Sequence, residues 1–165
     1  MKHVMLAIMI STFFIASEEE MSSGQKNIPV TVRNDFAKQR LDEQYEIAFH
    51  INPFYLRGDF NGDGKTDIAI LVRDKKSGKT GVAILHKGQD KVFILGAGNP
   101  IGNGGDDWKW MGVWSVYELG PVGRGADETE PPKLKGEALL VEKYESASGL
   151  VYWDGQEYKW YQQGD

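Results

Sequence analysis

Acidic and amide side chains alternate in one glycine-rich stretch, GDFNGDGKTDIAILV, which covers residues 58–72. Within it, three carboxylates and one amide fall close together: those of Asp59, Asn61, Asp63 and Asp67. Oxygen donors at alternate positions of a tight loop are the ligands that a hard cation such as Ca2+ takes. Carboxylates held this close without a cation repel one another. The spacing therefore predicts a calcium loop at residues 59–67.

The order of the donors is that of a calcium loop. With Asp59 as the first position, Gly64 is the sixth, where a sharp turn is needed, and Lys65 offers its carbonyl oxygen at the seventh. Four side chains and this carbonyl supply five of the roughly six to eight oxygens that calcium takes. Water or another carboxylate would supply the rest. An EF-hand has a glutamate at the twelfth position, where this chain has Ile70, so the loop is not an EF-hand.

Two other interpretations of the loop stay open. The Asp and Asn side chains can close Asx-turns and bind nothing, although a plain turn needs fewer of them. A catalytic metal is the second, but a hydrolytic metal site usually keeps an open position backed by histidine or a general base. The spacing favours a structural calcium ion.

The string GDFNGDGKTDIAIL resembles the calcium loop of FG-GAP or VCBS-type repeats, which occur in integrin-like β-propeller blades and in many exported bacterial proteins. The resemblance covers about fifteen of the 165 residues. It implies calcium ligation by the loop's oxygen donors: Asp59, Asn61, Asp63, the carbonyl of Lys65, and Asp67. Since the chain holds one copy and such a propeller needs about seven blades, the expected architecture is a single blade-like sheet.

Composition limits the class of protein. The chain has 165 residues, of which 41% are hydrophobic and 26% charged, so it has room for one domain with one core. A net charge of -5 without a basic stripe argues against nucleic acid as a partner. The absence of cysteine excludes disulfides, thiol catalysis and cysteine-metal sites. Such a domain must be held by its core or by a bound ion.

The N-terminus has the pattern of an export signal. Lys2 and His3 precede an unbroken apolar run at residues 4–16, which is short for a membrane span and has the length of a signal-peptide hydrophobic region. We expect a signal peptide at residues 1–17 and a periplasmic or secreted protein that does not contact the membrane after cleavage. An uncleaved anchor is the alternative. A flexible leader is expected at residues 18–30, followed by one β-rich domain at residues 31–165.

A helix and a strand are predicted before the loop. Val32, Phe36 and Leu41 share one helical face within residues 31–45, which predicts a short amphipathic helix. The pattern becomes strand-like at residues 46–51. This helix is the only one that the sequence predicts in the domain.

Three apolar runs follow the loop, at residues 67–74, 82–87 and 91–98, joined by short turns with glycine. They predict an antiparallel meander. Their almost continuous apolarity predicts burial on both faces, with the helix available as a covering layer.

The C-terminal part alternates between loops and strands. A long glycine-rich loop leads to a predicted strand at residues 108–117, and a polar excursion follows at residues 120–137. Asp154 and Gly155 predict a tight hairpin turn. Strands are predicted at residues 137–146, 148–155 and 156–163.

Other candidates for catalysis are few. His50 and His86 are the histidines after the signal, and an edge histidine with a satisfied partner is the better interpretation of His86 than a general base. Asp106 and Asp107 follow a glycine run and are best explained as turn-capping residues. A catalytic triad, a phosphate loop and a convincing acid-base pair are all missing from the sequence.

The five tryptophans are the second candidate feature. Core packing is the favoured interpretation. Stacking platforms for sugars or peptides are the alternative, and the rings concerned follow or precede glycine turns: Trp108, Trp110, Trp153 and Trp160.

The sequence thus predicts a mainly β fold, an antiparallel meander forming a single propeller-blade-like unit with one short N-terminal α-helix. The expected function is that of an exported, non-catalytic domain in which Ca2+ stabilises a β-sheet that binds a protein or glycan. A hydrolase of the cell envelope or of extracellular material, using acidic residues near the loop together with Asp106 and Asp107, is the alternative.

Overall fold

A computed structural model describes residues 23–164, in which two antiparallel β-sheets pack face to face and a short helix covers the outer face of the first. The helices are α1 Ser23–Lys26 and α2 Val30–Lys38. The strands are β1 Tyr45–Ile47, β2 Tyr55–Gly58, β3 Asp67–Asp74, β4 Thr80–Leu85, β5 Val92–Gly96, β6 Val113–Tyr117, β7 Ala138–Glu142, β8 Ser148–Trp153 and β9 Tyr158–Gly164.

The first sheet is organised around β3. One edge of β3 pairs with β4, which pairs in turn with β5, and this is the three-stranded antiparallel meander that the sequence predicts. The other edge pairs with both β1 and β2, which lie end to end because Tyr45 faces Asp74 whereas Tyr55 faces Ile70. The second sheet is an up-and-down meander in the order β6-β7-β8-β9.

Both faces of β3 are buried. Ala69 and Leu71 contact the apolar layer between the sheets, and Ile70 and Val72 contact the layer under α2. All four are inaccessible to solvent. Because successive strand residues point to opposite faces, their burial means that both faces are covered. The predicted two-sided burial is confirmed, and the helix covers one face as expected. The second sheet covers the other, so the single blade-like unit is corrected to two packed sheets.

The layer between the sheets contains the largest buried side chains. Trp108, Phe60 and Leu139 are completely inaccessible, and Trp114 is almost so. Core packing is therefore confirmed for two of the five tryptophans. Residues such as Trp110 lie at the margin of this layer and are only half-buried.

The N-terminal elements differ from the prediction in length. The helix predicted over residues 31–45 ends at Lys38, because Arg40 takes a left-handed conformation with φ of 56° and β1 pairs with β3 from Tyr45 onward. The predicted leader also differs: residues 23–26 are helical and Ile28 is buried against α2 and β3. The rest of the leader and the predicted signal peptide lie outside the described residues. Within residues 23–164, helices are too short or too polar to cross a membrane.

The C-terminal strands occur where the sequence predicts them. The strand predicted from residue 108 begins at Val113, after a 3-10 helix at Trp108–Trp110. The predicted hairpin between β8 and β9 is confirmed. Its turn is longer than predicted, because Trp153 pairs with Tyr158 and four residues lie between them. The Asp154 carboxylate closes this loop by accepting the backbone N–H groups of residues 156 and 157.

Two neighbouring leucines test the packing of the sheets. Leu139 is fully buried between them, whereas Leu140 is half-buried on the opposite face of β7. We expect Leu139→Ala to lower the free energy of unfolding by about 2–5 kcal/mol, through lost transfer energy and the cavity left behind. Leu140→Ala should cost clearly less. Urea denaturation with an unchanged m value measures both, and equal losses would contradict the face-to-face packing.

Candidate functional site

The acidic stretch forms the hairpin loop between β2 and β3, with Gly58 paired to Asp67 at its base. The carboxylate of Asp59 organises the turn. Its Oδ1 accepts the N–H groups of Gly62 at 2.8 Å and Asp63 at 3.0 Å, and its Oδ2 accepts that of Gly64 at 2.9 Å. Gly64 has φ of 80°, which confirms the sharp turn expected there.

Asx-turns extend this arrangement around the loop. The side-chain oxygen of Asn61 accepts the N–H of Asp63 at 2.9 Å, and Oδ1 of Asp63 accepts the N–H of Lys65 at 2.9 Å. The bond from the Lys65 backbone is the main reason why the pKa of Asp63 lies below its usual value. Asp63 therefore remains ionised at neutral pH.

Asp67 is the one predicted ligand that is completely buried. Its Oδ2 accepts the N–H of Phe60 at 3.1 Å, which closes the loop, and its Oδ1 accepts the N–H of Lys87 at 2.7 Å, just beyond β4. Burial raises the pKa of Asp67 above its ordinary value, although these bonds and nearby His86 oppose the rise. Asp67 thus links the loop to the neighbouring hairpin of the first sheet.

Glu137 is a member of the site that sequence reasoning missed. Its Oε2 accepts the N–H of Asp59 at 2.6 Å, and its own N–H donates to the carbonyl of Asp59 at 2.7 Å. Because β7 starts at the next residue, these bonds join the loop to the second sheet. The backbones touch here: a Cβ on Gly62 would lie 2.1 Å from the carbonyl oxygen of Lys135. No local signal identifies Glu137, which is 78 residues from Asp59.

The predicted calcium donors all belong to this one loop, but the loop does not gather their carboxylates into a ligand shell. Within residues 23–164, no group of three or more His, Cys, Asp or Glu side chains is placed to hold a metal ion. The donor chemistry nevertheless suits calcium. A carboxylate has about four acceptor positions, and the backbone occupies three at Asp59 and two at Asp67. Both retain acceptor capacity.

His86 and Tyr158 form a buried polar contact beside Asp67. The Nε2 of His86, just after β4, shares a hydrogen bond of 2.7 Å with the hydroxyl of Tyr158 at the start of β9. The bond therefore connects the two sheets, and the rings of Phe93 and Trp153 surround it. Burial lowers the pKa of His86 and raises that of Tyr158. His86 has the satisfied partner that the sequence favours.

Asp106 and Asp107, the acidic pair of the hydrolase alternative, have structural partners. Asp106 forms an ion pair with Lys79. Oδ1 of Asp107 accepts the N–H of Thr80 at 2.9 Å and that of Lys109 at 3.3 Å, and so caps the 3-10 helix. Burial alone would raise the pKa of Asp107, but these hydrogen bonds outweigh it and lower the pKa. The turn-capping interpretation agrees with this geometry.

A cleft of about 1070 Å³ lies away from the loop, between α2 and β1. Cationic side chains line it, but those of Arg73 and Lys75 are engaged. Arg73 forms an ion pair with Glu46, and Nζ of Lys75 donates to the carbonyl of Asp42 at 2.6 Å. None of the predicted calcium donors lines this cleft.

The structural role of Asp67 can be measured without calcium. Asp67→Ala removes the acceptor of two backbone N–H groups, and each such loss costs about 1–3 kcal/mol when the donor is buried. Urea denaturation in EDTA should show this loss in the free energy of unfolding. Asp154→Ala is the matched control, since Asp154 also accepts two N–H groups but in an exposed loop. A loss at Asp67 no larger than at Asp154 would contradict its buried bridging role.

The buried His86 predicts a dependence of stability on pH. Its pKa in the folded protein is below the ordinary value of 6.5, so the unfolded chain binds the proton more readily. Stability from this group is therefore present above about pH 6.5 and is lost as the pH falls toward the folded pKa. His86→Gln can still bond Tyr158 but does not titrate. Denaturation midpoints between about pH 8 and pH 5.5 should fall less in this variant. His50→Gln is the comparison, because burial also lowers the pKa of His50, and this variant should remove only the contribution of His50. If His86→Gln keeps the full pH dependence, His86 is not its source.

Comparison with models of protein families, with curated proteins and with solved structures finds no match to this chain. Evidence for the fold and for the candidate site therefore comes from this chain's own residues. The similarity of the β2–β3 loop to FG-GAP or VCBS-type repeats stays a prediction.

Proposed function

We propose that this chain is an exported, non-catalytic binding domain in which Ca2+, held by the β2–β3 loop, stabilises a two-sheet fold that binds a protein or glycan. The position of the loop carries the proposal. Asp67 connects it to the end of β4, and Asp59 connects it to Glu137 at the start of β7. A cation at this loop would stabilise the junction of both sheets rather than one isolated turn.

The charge at the junction supports a cation. The carboxylate of Glu137 accepts the backbone N–H of Asp59, so a fourth acidic residue contacts the loop in which the sequence places three aspartates. Neighbouring carboxylates disfavour ionisation, and burial already raises the pKa of Asp67. A divalent cation would offset both effects. Glu137 is also a source for the additional carboxylate oxygen that the five predicted donors leave open.

A binding role agrees with the partners of the other polar groups. His86 is bonded to Tyr158, Asp106 to Lys79, and Asp107 to the backbone of Thr80. Groups held in this way stabilise turns and the contact between the sheets. Export is proposed from the apolar run at residues 4–16 alone.

Thermal unfolding in calcium, magnesium or EDTA tests the calcium site. For a dissociation constant in the roughly 0.1–1 mM range of extracellular modules, calcium at ten times that value adds about 1.4 kcal/mol. This should raise the midpoint by a few degrees. Asp63→Asn keeps an oxygen for the Lys65 N–H but removes the charge, and we expect it to abolish most of the rise.

Asp154→Asn is the matched control for this experiment. It makes the same change in a second Asx-type loop, which holds none of the predicted calcium ligands, and it should keep the full calcium-dependent rise. Equal midpoints in calcium and EDTA would show that the loop is a set of Asx-turns without an ion. An equal rise in magnesium would reject a calcium-specific site.

A further inference from the structure

A pocket of about 480 Å³ lies where the glycine-rich loop after β5 meets β8 and β9. This volume is within the range of small-ligand sites, roughly 300–1000 Å³. The indole rings of Trp110 and Trp160 line it together with polar and charged side chains. The latter are Asn103, Asp127, Lys143, Ser148 and Gln162.

Both indole rings are fixed through their N–H groups. Nε1 of Trp110 donates to the carbonyl of Gly104 at 3.0 Å, and Nε1 of Trp160 donates to Oε1 of Gln162 at 3.0 Å. The ring centroids are 6.2 Å apart, and the planes cross at 80°. Because both N–H groups are bound within the protein, the parts of the rings that line the pocket are apolar.

Gln162 is a positioning residue for the polar part of the pocket. Its Oε1 also accepts from Nδ2 of Asn103 at 3.0 Å, and its Nε2 donates to the carbonyl of Ser148 at 3.1 Å. Its amide thus holds Asn103 and Trp160 in a fixed relation. Asn103 is exposed, and its amide has a carbonyl oxygen and a second N–H beyond the bond to Gln162.

Glycines admit the Trp160 ring. A Cβ on Gly149, which belongs to β8, would lie 2.0 Å from this ring. A Cβ on Gly102 would lie 2.4 Å from the Trp160 side chain. Such distances are far below any normal contact, so only glycine fits at both positions. The glycine-rich loop that the sequence shows before Trp108 therefore builds one wall of the pocket.

We propose that this pocket binds a glycan. A sugar ring has apolar C–H faces and a rim of hydroxyl groups. Indole surface suits the faces, and amide, carboxylate and hydroxyl groups suit the rim. Asp127 and Lys143 carry opposite charges, which favours a neutral ligand over a phosphate. The inference rests on the proposed function only in that it names the partner class of a binding domain.

The test is titration of the full chain with three soluble oligosaccharides, cellotriose, chitotriose and maltotriose, followed by calorimetry and tryptophan fluorescence. Saturable binding of at least one is expected. Trp110→Ala should weaken it by about tenfold or more, as loss of an aromatic stacking surface does. Trp110→Phe keeps a ring and should lose less, and Asn103→Ala, at an exposed position, should weaken binding without changing the thermal midpoint.

Trp153→Phe is the matched control, because Trp153 lies at the opposite end of β8, beside His86. It should leave the affinity unchanged. Absence of saturable binding by all three sugars, or an unchanged affinity in both Trp110→Ala and Asn103→Ala, would overturn the glycan proposal.

Titration in calcium and in EDTA separates this proposal from the calcium site. Calcium-dependent stability without sugar binding rejects the glycan pocket alone. Sugar binding with equal midpoints in calcium and EDTA supports the pocket and rejects the calcium site.

Discussion

Residues 69–72 of β3 are all inaccessible to solvent, and their side chains alternate between two apolar layers. A strand in the middle of a sheet can bury both faces only if something covers each of them. Here α2 covers one face and the second sheet the other. The two short strands β1 and β2 share one edge of β3, and β4 occupies the other.

The loop that begins β3 inherits its surroundings from the same packing. The chain enters β3 at Asp67, which is completely buried, whereas the next residue, Ile68, is half-buried. A buried carboxylate needs hydrogen-bond donors, and the backbones of Phe60 and Lys87 provide them. The approach of the second sheet then brings Glu137 to Asp59. An acidic turn thereby becomes a contact point between the sheets.

The margins of the inter-sheet layer differ in character. At the end of β8, the ring of Trp153 packs against the rings of His86 and Tyr158, whose side chains are joined by a hydrogen bond. At the other end, glycines leave room for the Trp160 ring, which lines the pocket. The tryptophans therefore have two roles. Trp108 and Trp114 fill the core, and Trp110 and Trp160 line its open edge.

The sequence by itself determined features that depend on neighbouring residues. Alternation and apolar runs locate β3 and the later strands, and the spacing from Asp59 to Asp67 locates a tight loop before β3 with Gly64 at its turn. Such features can be predicted because strand periodicity and turn geometry act over a few residues. The meander of β3, β4 and β5 follows from the short connections between them.

Only the tertiary structure decided the contacts between distant segments. The packing of the second sheet on the first, the pairing of β1 with one edge of β3, and the contact of Glu137 with Asp59 all join residues far apart in the chain. The helix ends earlier than its pattern predicts because pairing with β3 takes Tyr45 into the sheet. Glycine at positions 102 and 149 is explained only by the Trp160 ring. Local patterns specify what a segment can form, whereas packing specifies which segment lies against it.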